Sequence, residues 1–180
     1  MRAFVAIDID DAMLDRLEEM QLGLPGRIVP RENLHLTLAF LGEIGETLLR
    51  EVHQGLAALQ LNAPELRVTE LDVFGGKKPK LAFAGVAMTP ALEAVQRAVM
   101  HVCREAGVDL RRERFRPHVT LSRFGREIGP RDAEILAGRL GIGTMPVGMS
   151  GARATGFSLY RSELRPEGPR YERLASYEFE

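Results

Sequence analysis

The chain has 180 residues, 45% of them hydrophobic and 27% charged, with a formal net charge of −1. Such a composition fits one globular domain with a core of ordinary size and excludes a disordered chain, while the near-zero charge excludes a protein drawn to nucleic acid by its overall field. The single cysteine excludes an internal disulfide and any Cys-rich zinc centre.

Arg2 to Ile7 reads as a strand. This opening is too short an apolar run for a signal peptide and no membrane-length segment follows, so the expectation is a cytoplasmic protein without a membrane partner. Asp8, Asp10 and Asp11 can cap and favour the N-terminus of a helix from about Ala12 to Leu22, with Met13, Leu14, Leu17 and Met20 inward, until Gly23, Pro25 and Gly26 stop it. A loop through Val29 to Glu32 leads to a strand from Asn33 to Leu41. Gly42 and Gly45 then open a second helix, about Glu46 to Leu59, whose leucines keep helical spacing.

Glu65 to Phe74 and Leu81 to Met88 read as a hairpin around the turn Gly75-Gly76-Lys77-Lys78-Pro79. Pro90 starts a third helix at its first turn, where a missing N–H is harmless, and Gly107 follows its end near Ala106. Its stripe of Leu92, Val95, Val99 and Val102 includes Cys103, which reads as an inert core thiol. The basic loop Arg111 to Arg116 delivers the chain to a further strand beginning at His118. A short helix from about Arg131 to Leu140 ends at Gly141 and Gly143. Strands near Met149 to Leu159 and Tyr171 to Phe179, joined by a loop at Pro166 to Pro169, complete the chain.

Two of these strands share a pattern: Leu34-His35-Leu36-Thr37-Leu38-Ala39-Phe40 and Pro117-His118-Val119-Thr120-Leu121-Ser122-Arg123-Phe124. Alternate residues of a strand point to one face, so His35 shares a face with Thr37 and His118 with Thr120, while the aliphatic neighbours point into a core. The element order around each motif is the same: strand, helix, His-x-Thr strand, helix, strand. A duplicated unit of this kind would set the two motifs on either side of a cleft. A lone His-x-Thr in a strand is uninformative; the pair at corresponding places carries the signal.

Two imidazoles in one cleft supply a general base and a general acid, since a pKa of about 6.5 lets both protonation states exist near neutrality. The Thr37 and Thr120 hydroxyls can donate to non-bridging phosphate oxygens, and Arg123 can complete an electrostatic clamp. In an unbroken strand, positions 118 and 123 fall on opposite faces. Arg123 therefore joins the site only if the strand bends or its side chain wraps round the strand end. The set is what metal-free opening of a cyclic phosphodiester by water requires.

The double motif resembles that of the two-histidine (2H) phosphoesterases, in particular the bacterial and archaeal RNA 2′,3′-cyclic phosphodiesterases. The likeness extends over nearly the whole chain, from Arg2-Ala3-Phe4-Val5-Ala6-Ile7 and the Pro30-Arg31-Glu32-Asn33-Leu34 lead-in to Leu159-Tyr160-Arg161-Ser162 and Tyr171. It implies a bilobal α+β fold over residues 1–180: a duplicated unit with antiparallel sheets flanking a central cleft and helices packed outside. It also implies hydrolysis of an RNA or nucleoside 2′,3′-cyclic phosphate to a 2′-phosphomonoester, with no metal and no cofactor. His35 would be the proton donor to the leaving 3′ oxygen, His118 the acceptor that activates water, and Thr37, Thr120 and Arg123 the phosphate-binding residues. The partners implied are RNA with 2′,3′-cyclic phosphate ends or cyclic nucleotides, bound by a monomer. The alternatives are reversible 2′-5′ RNA ligation and a non-catalytic RNA-end-binding protein. Lys80-Leu81-Ala82-Phe83 departs from the family, whose members commonly carry an Arg and bulkier aromatics there.

Other residues carry weaker signals. His53 and His101 fall on the boundary or polar faces of helices and read as surface residues. Gly75-Gly76-Lys77-Lys78 lacks P-loop spacing. Phe74, Phe83 and Phe115 read as core or, for one of them, as a platform for a stacked base, and Arg111, Arg112, Arg114 and Arg116 as either a solvated loop or a phosphate-steering patch.

Overall fold

A computed structural model describes residues 1–125, 128–141 and 151–180. Chain order gives β1 (Arg2–Ile7), α1 (Asp11–Gln21), β2 (Arg27–Ile28), a 3₁₀ turn (Arg31–Asn33), β3 (Leu36–Glu43), α2 (Glu46–Ala57), β4 (Glu65–Leu66) and β5 (Val68–Phe74). There follow β6 (Leu81–Val86), α3 (Pro90–Glu105), β7 (His118–Arg123), α4 (Pro130–Gly141), β8 (Ala152–Arg153), β9 (Gly156–Arg165) and β10 (Gly168–Glu178). The expected start of a strand at Met149 and the stop at Gly143 lie outside the described residues.

Local chemistry explains the helix starts. Asp10 accepts the Met13 amide at 2.8 Å and Thr89 accepts the Leu92 amide at 3.1 Å, each satisfying an N–H that the first turn leaves free. Pro90 sits at the start of α3, as its sequence position predicts. The hairpin β5–β6 turns at Gly75, whose φ of +112° only glycine adopts readily, and a Cβ there would lie 2.4 Å from the Lys78 carbonyl oxygen.

The main strands form one antiparallel sheet in the order β10-β9-β1-β3-β7-β6-β5, with β2 added to β7; β4 and β8 make a separate pair. The two His-x-Thr strands are therefore central neighbours, but they touch through one pair, Leu36 opposite Val119. On one side of this seam stand β1 and β3 with the C-terminal β9 and β10, on the other β7, β6 and β5, and the helices interlock the two groups: α1 packs on β7 and α3 on β3. Val5, Ile7, Leu17, Leu36, Val52, Leu56, Leu92, Val95, Val99, Val119 and Leu121 are buried in a shared core. Burying each such side chain contributes roughly 1.5–3 kcal/mol. Cys103 lies in this core, where burial pushes its thiol up to about 12, so it is inert.

A bulge in each motif strand decides which residues face the cleft. Between β6 and β7 the register steps from Phe83 opposite Thr120 to Ala82 opposite Ser122, leaving Leu121 as an extra residue. Between β1 and β3 it steps from Ala6 opposite Thr37 to Val5 opposite Ala39, leaving Leu38 extra at the equivalent place. Each bulge shifts the alternation by one. His118, Thr120 and Arg123 consequently lie on the half-exposed face of β7, while Val119, Leu121 and Ser122 are buried. The bulge resolves how Arg123 reaches the face of His118. Its equivalent on β3 is Phe40, 64% exposed and paired across the strands with Phe4, whose ring packs on His35.

The bulge in β7 is held from outside the strand. The Leu121 carbonyl accepts the Val29 amide at 2.9 Å and Nε2 of the buried Gln21 at 3.0 Å; the same Nε2 donates to the Val29 carbonyl at 2.8 Å. The buried Ser122 hydroxyl donates to the Pro25 carbonyl. Gly26, at φ +85°, lets the chain cross here, since a Cβ would lie 2.6 Å from the Arg123 carbonyl oxygen. Among the described residues, no helix is long and apolar enough to cross a membrane.

Candidate active site

The Leu36–Val119 pair sets the geometry of the site. Antiparallel register extended by one residue places His35 across from Thr120 and Thr37 across from His118. The two histidines are thus related by the local two-fold of the strand pair, one on each side of the seam. His35, Thr120 and Arg123 line a cleft of about 480 Å³ with Asn33 and Tyr171. His118 and Thr37 are not in that lining; both are half-buried beside it, and the charge of His118 is felt at His35.

Both rings are anchored in the same way. Nδ1 of His35 hydrogen-bonds the Asn33 carbonyl at 2.7 Å, and Nδ1 of His118 the Arg116 carbonyl at 2.7 Å, in each case two residues back. A carbonyl can only accept, so Nδ1 carries the proton and Nε2 is the nitrogen left for chemistry. Neutral Nε2 is a base, and protonated Nε2 is an acid. Aromatic rings fix the orientation. His35 packs against Phe4 at 4.8 Å and edge-on to Tyr171 at 5.2 Å between centroids. His118 meets Phe74 and Phe83 edge-on at 4.9 and 5.3 Å, and those rings stack at 4.2 Å. Arg116 lies over Phe74 at 4.9 Å and faces Asp72 at 3.7 Å, so one member of the basic loop is fixed beside His118.

The surroundings lower the proton affinity of both histidines. Burial brings His35 down to about 4; its Asn33 hydrogen bond opposes this, and the charges of Arg123 and His118 add to it. His118 is lowered chiefly by burial, with Arg116 and Arg123 contributing and its own carbonyl bond opposing. Arg123 therefore lies close enough to act on both rings. It also lies beside the Tyr171 hydroxyl, whose own titration burial pushes up. An anion in this cleft would restore proton affinity to both imidazoles.

Sequence reasoning named His35, Thr37, His118, Thr120 and Arg123; the structure adds to the cleft lining Arg27, the cross-strand partner of Arg123. A two-residue strand gives no periodic signal, so nothing in the sequence marks it. Phe83 is buried but Phe74, expected in the core, is only half-buried, because both rings lie outside the shared core and pack on each other and on His118. His53 is exposed and hydrogen-bonds the Tyr177 hydroxyl at 2.9 Å, and His101 is exposed; neither lines the cleft.

A family model described as the 2′-5′ RNA ligase superfamily matches residues 9–140. The chain belongs to that superfamily. Its similarity to two curated relatives spans nearly the whole of both chains. It is 30% identical over 186 aligned positions to the RNA 2′,3′-cyclic phosphodiesterase of Archaeoglobus fulgidus, covering 99% of this chain and 100% of that one. To the protein of the same name from Thermotoga maritima it is 29% identical, covering 100% and 96%. Among solved structures, the superfamily fold recurs in apo LigT of E. coli, with TM-score 0.78, 23% identity and coverage of 99% and 96%. The protein TT0787 of Thermus thermophilus superposes with TM-score 0.77 at 27% identity, covering 99% and 97%. The resemblance read from the two motifs is therefore to the right family, and the α+β fold with an antiparallel sheet and outer helices is the one it implied.

Proposed function

We propose that this protein is an RNA 2′,3′-cyclic phosphodiesterase that opens the cyclic phosphate at an RNA 3′ end, or of a nucleotide, to a 2′-phosphomonoester. The observation that carries the reading is the pair of imidazoles, each tied at Nδ1 to the carbonyl two residues back and each leaving Nε2 free, on either side of the Leu36–Val119 seam. The relatives that match over the full chain bear the same activity in their names.

In this reading Nε2 of His118 takes a proton from water as its oxygen bonds to phosphorus. The bond from phosphorus to O3′ breaks, and Nε2 of His35 gives its proton to O3′. Thr37 and Thr120 donate to the non-bridging oxygens, and Arg123 holds the charge that builds on them. The anionic substrate raises the proton affinity that burial and Arg123 lower at His35, so the acid is charged when the phosphate is bound. No step needs a metal. The reading takes residues 1–180 as one domain with two pseudo-symmetric lobes, acting as a cytoplasmic monomer.

The test is turnover of adenosine 2′,3′-cyclic phosphate with identification of the product. Adenosine 2′-phosphate is expected, and His35→Ala and His118→Ala should each lower kcat by about 10²–10⁴-fold, the usual share of one proton transfer. A 3′-phosphate product would overturn the assignment of acid and base. A second reading, joining of RNA ends through a 2′-5′ bond, is the reverse of the same chemistry and is the activity after which the superfamily is described. Incubating cyclic-phosphate and 5′-hydroxyl fragments and looking for a longer product tests it.

A further inference from the structure

The cleft that holds His35, Thr120 and Arg123 continues into a second group of cations. Arg27 comes from β2, and Arg165 and Arg170 come from the two sides of the β9–β10 hairpin. Arg27 is directly opposite Arg123 in the register, and like charges opposite one another destabilise a strand pair. Among the described residues, Arg27, Arg123 and Arg170 have no carboxylate within ion-pair distance. Glu163, the cross-strand partner of Arg170, is already engaged by Arg161 at 3.0 Å and by Arg165 at 3.1 Å. Glu32 and Glu167 also line the cleft and pair with none of these arginines.

This wall is built rather than draped. Asn33, two residues before His35, donates from Nδ2 to the Pro169 carbonyl at 2.9 Å, tying the hairpin turn to the lead-in of the first motif. Gly168, at φ +133°, brings the turn against Arg27, where a Cβ would lie 3.5 Å from the guanidinium carbon. The cleft, at about 480 Å³, has room beyond a single cyclic phosphate and its ribose.

We propose that Arg27 and Arg170, assisted by Arg165, bind the internucleotide phosphate on the 5′ side of the reacting cyclic phosphate, so that RNA 3′ ends of two or more nucleotides are selected over mononucleotides. The proposal rests on the phosphodiesterase reading above. The next anion in any RNA 3′ end is a phosphodiester one nucleotide away, and the planar fork of Arg matches its oxygens bidentately. The opposed Arg27 and Arg123 make sense as neighbours that divide two adjacent phosphates between them. Repulsion between them is relieved when both anions are seated.

The experiment compares kcat/KM for three substrates with the same terminal adenosine 2′,3′-cyclic phosphate: the mononucleotide, the adenylyl dinucleotide, and that dinucleotide with an uncharged methylphosphonate linkage. Wild type is expected to prefer the dinucleotide by about tenfold or more, the effect of one charge-assisted contact, and to lose that preference with the methylphosphonate. R27Q and R170Q should each shrink the dinucleotide-to-mononucleotide ratio by about tenfold. Equal kcat/KM for the mononucleotide and dinucleotide overturns the subsite while leaving the phosphodiesterase reading standing. A preference that survives the methylphosphonate assigns it to the base and overturns the subsite too. Turnover of none of the three overturns the phosphodiesterase reading and this one with it. The substrate comparison uses the unaltered protein, so it stands whether or not a variant folds.

Discussion

Replacing Gln21 with Leu tests whether the bulge in β7 is what presents Arg123 to the site. Leu has nearly the same volume and no donor, so the buried Nε2 loses its bonds to the Leu121 carbonyl at 3.0 Å and the Val29 carbonyl at 2.8 Å. The Leu121 carbonyl keeps the Val29 amide at 2.9 Å, so its loss is a single neutral hydrogen bond of about 1 kcal/mol. The Val29 carbonyl loses the donor that satisfies it, a further cost of about 1–3 kcal/mol. A total of about 2–4 kcal/mol lowers Tm by roughly 4–16 °C for a chain of this size. Activity is the decisive readout. If Gln21 acts by fixing the bulge, Q21L lowers kcat/KM for the cyclic phosphate in the wild-type background, and the same change has little effect once Arg123 is already Ala. Such non-additivity marks residues that work through one another. Thermal melts and steady-state kinetics on the four proteins of this cycle measure it. A Q21L protein that melts like wild type would refute the packing argument, and an equal loss of activity in both backgrounds would refute the link to Arg123.

The remaining expectations are independent of that cycle. With His118 required neutral and His35 required protonated, and both proton affinities lowered in the free protein, the optimum of kcat/KM lies on the acid side of pH 6.5; R123A removes a positive charge and moves it to higher pH. An optimum above pH 7, or an unmoved profile in R123A, would contradict the assigned surroundings. Because His35 binds its proton less readily folded than unfolded, the unfolded state takes up more protons as pH falls. Stability should therefore decline from about pH 6.5 to about pH 4, as urea midpoints across that window would record. G26A forces a Cβ to within 2.6 Å of the Arg123 carbonyl oxygen at a positive φ, and is expected to destabilise by about 1–3 kcal/mol and to lower activity; unchanged melting would count against the crossing geometry. Activity on the cyclic phosphate should persist in excess EDTA, and loss that added divalent metal restores would sink the two-histidine mechanism.

The motifs were legible because each strand keeps a period of two for four residues, from His35 to Leu38 and from His118 to Leu121. The same period then misplaced position 123. The bulge that corrects it is written in residues far away in sequence, Gln21, Pro25 and Val29, whose hydrogen bonds reach β7 only in the folded chain. Helix starts at Asp10 and Pro90 were readable because capping is local. The two strands of the β9–β10 hairpin were expected, but not that they run on to Arg165 and from Gly168. A loop was expected from Pro166 to Pro169, whereas Gly168 and Pro169 already pair with Arg165 and Leu164. Its arginines face a cleft whose other wall lies more than a hundred residues earlier, so charge count alone could not group them.

The single rung joining β3 to β7 bears on how the protein tolerates motion. The histidines stand one residue either side of Leu36 and Val119, so their Cα atoms are only about 3.3 Å along the strand from that pivot. If the two strand groups rock about it by roughly 10°, those atoms move by about 0.6 Å, while the far edges of the sheet swing by several times as much. His35 and His118, the proposed acid and base, thus stand at the fulcrum, where flexing has the least leverage on their spacing.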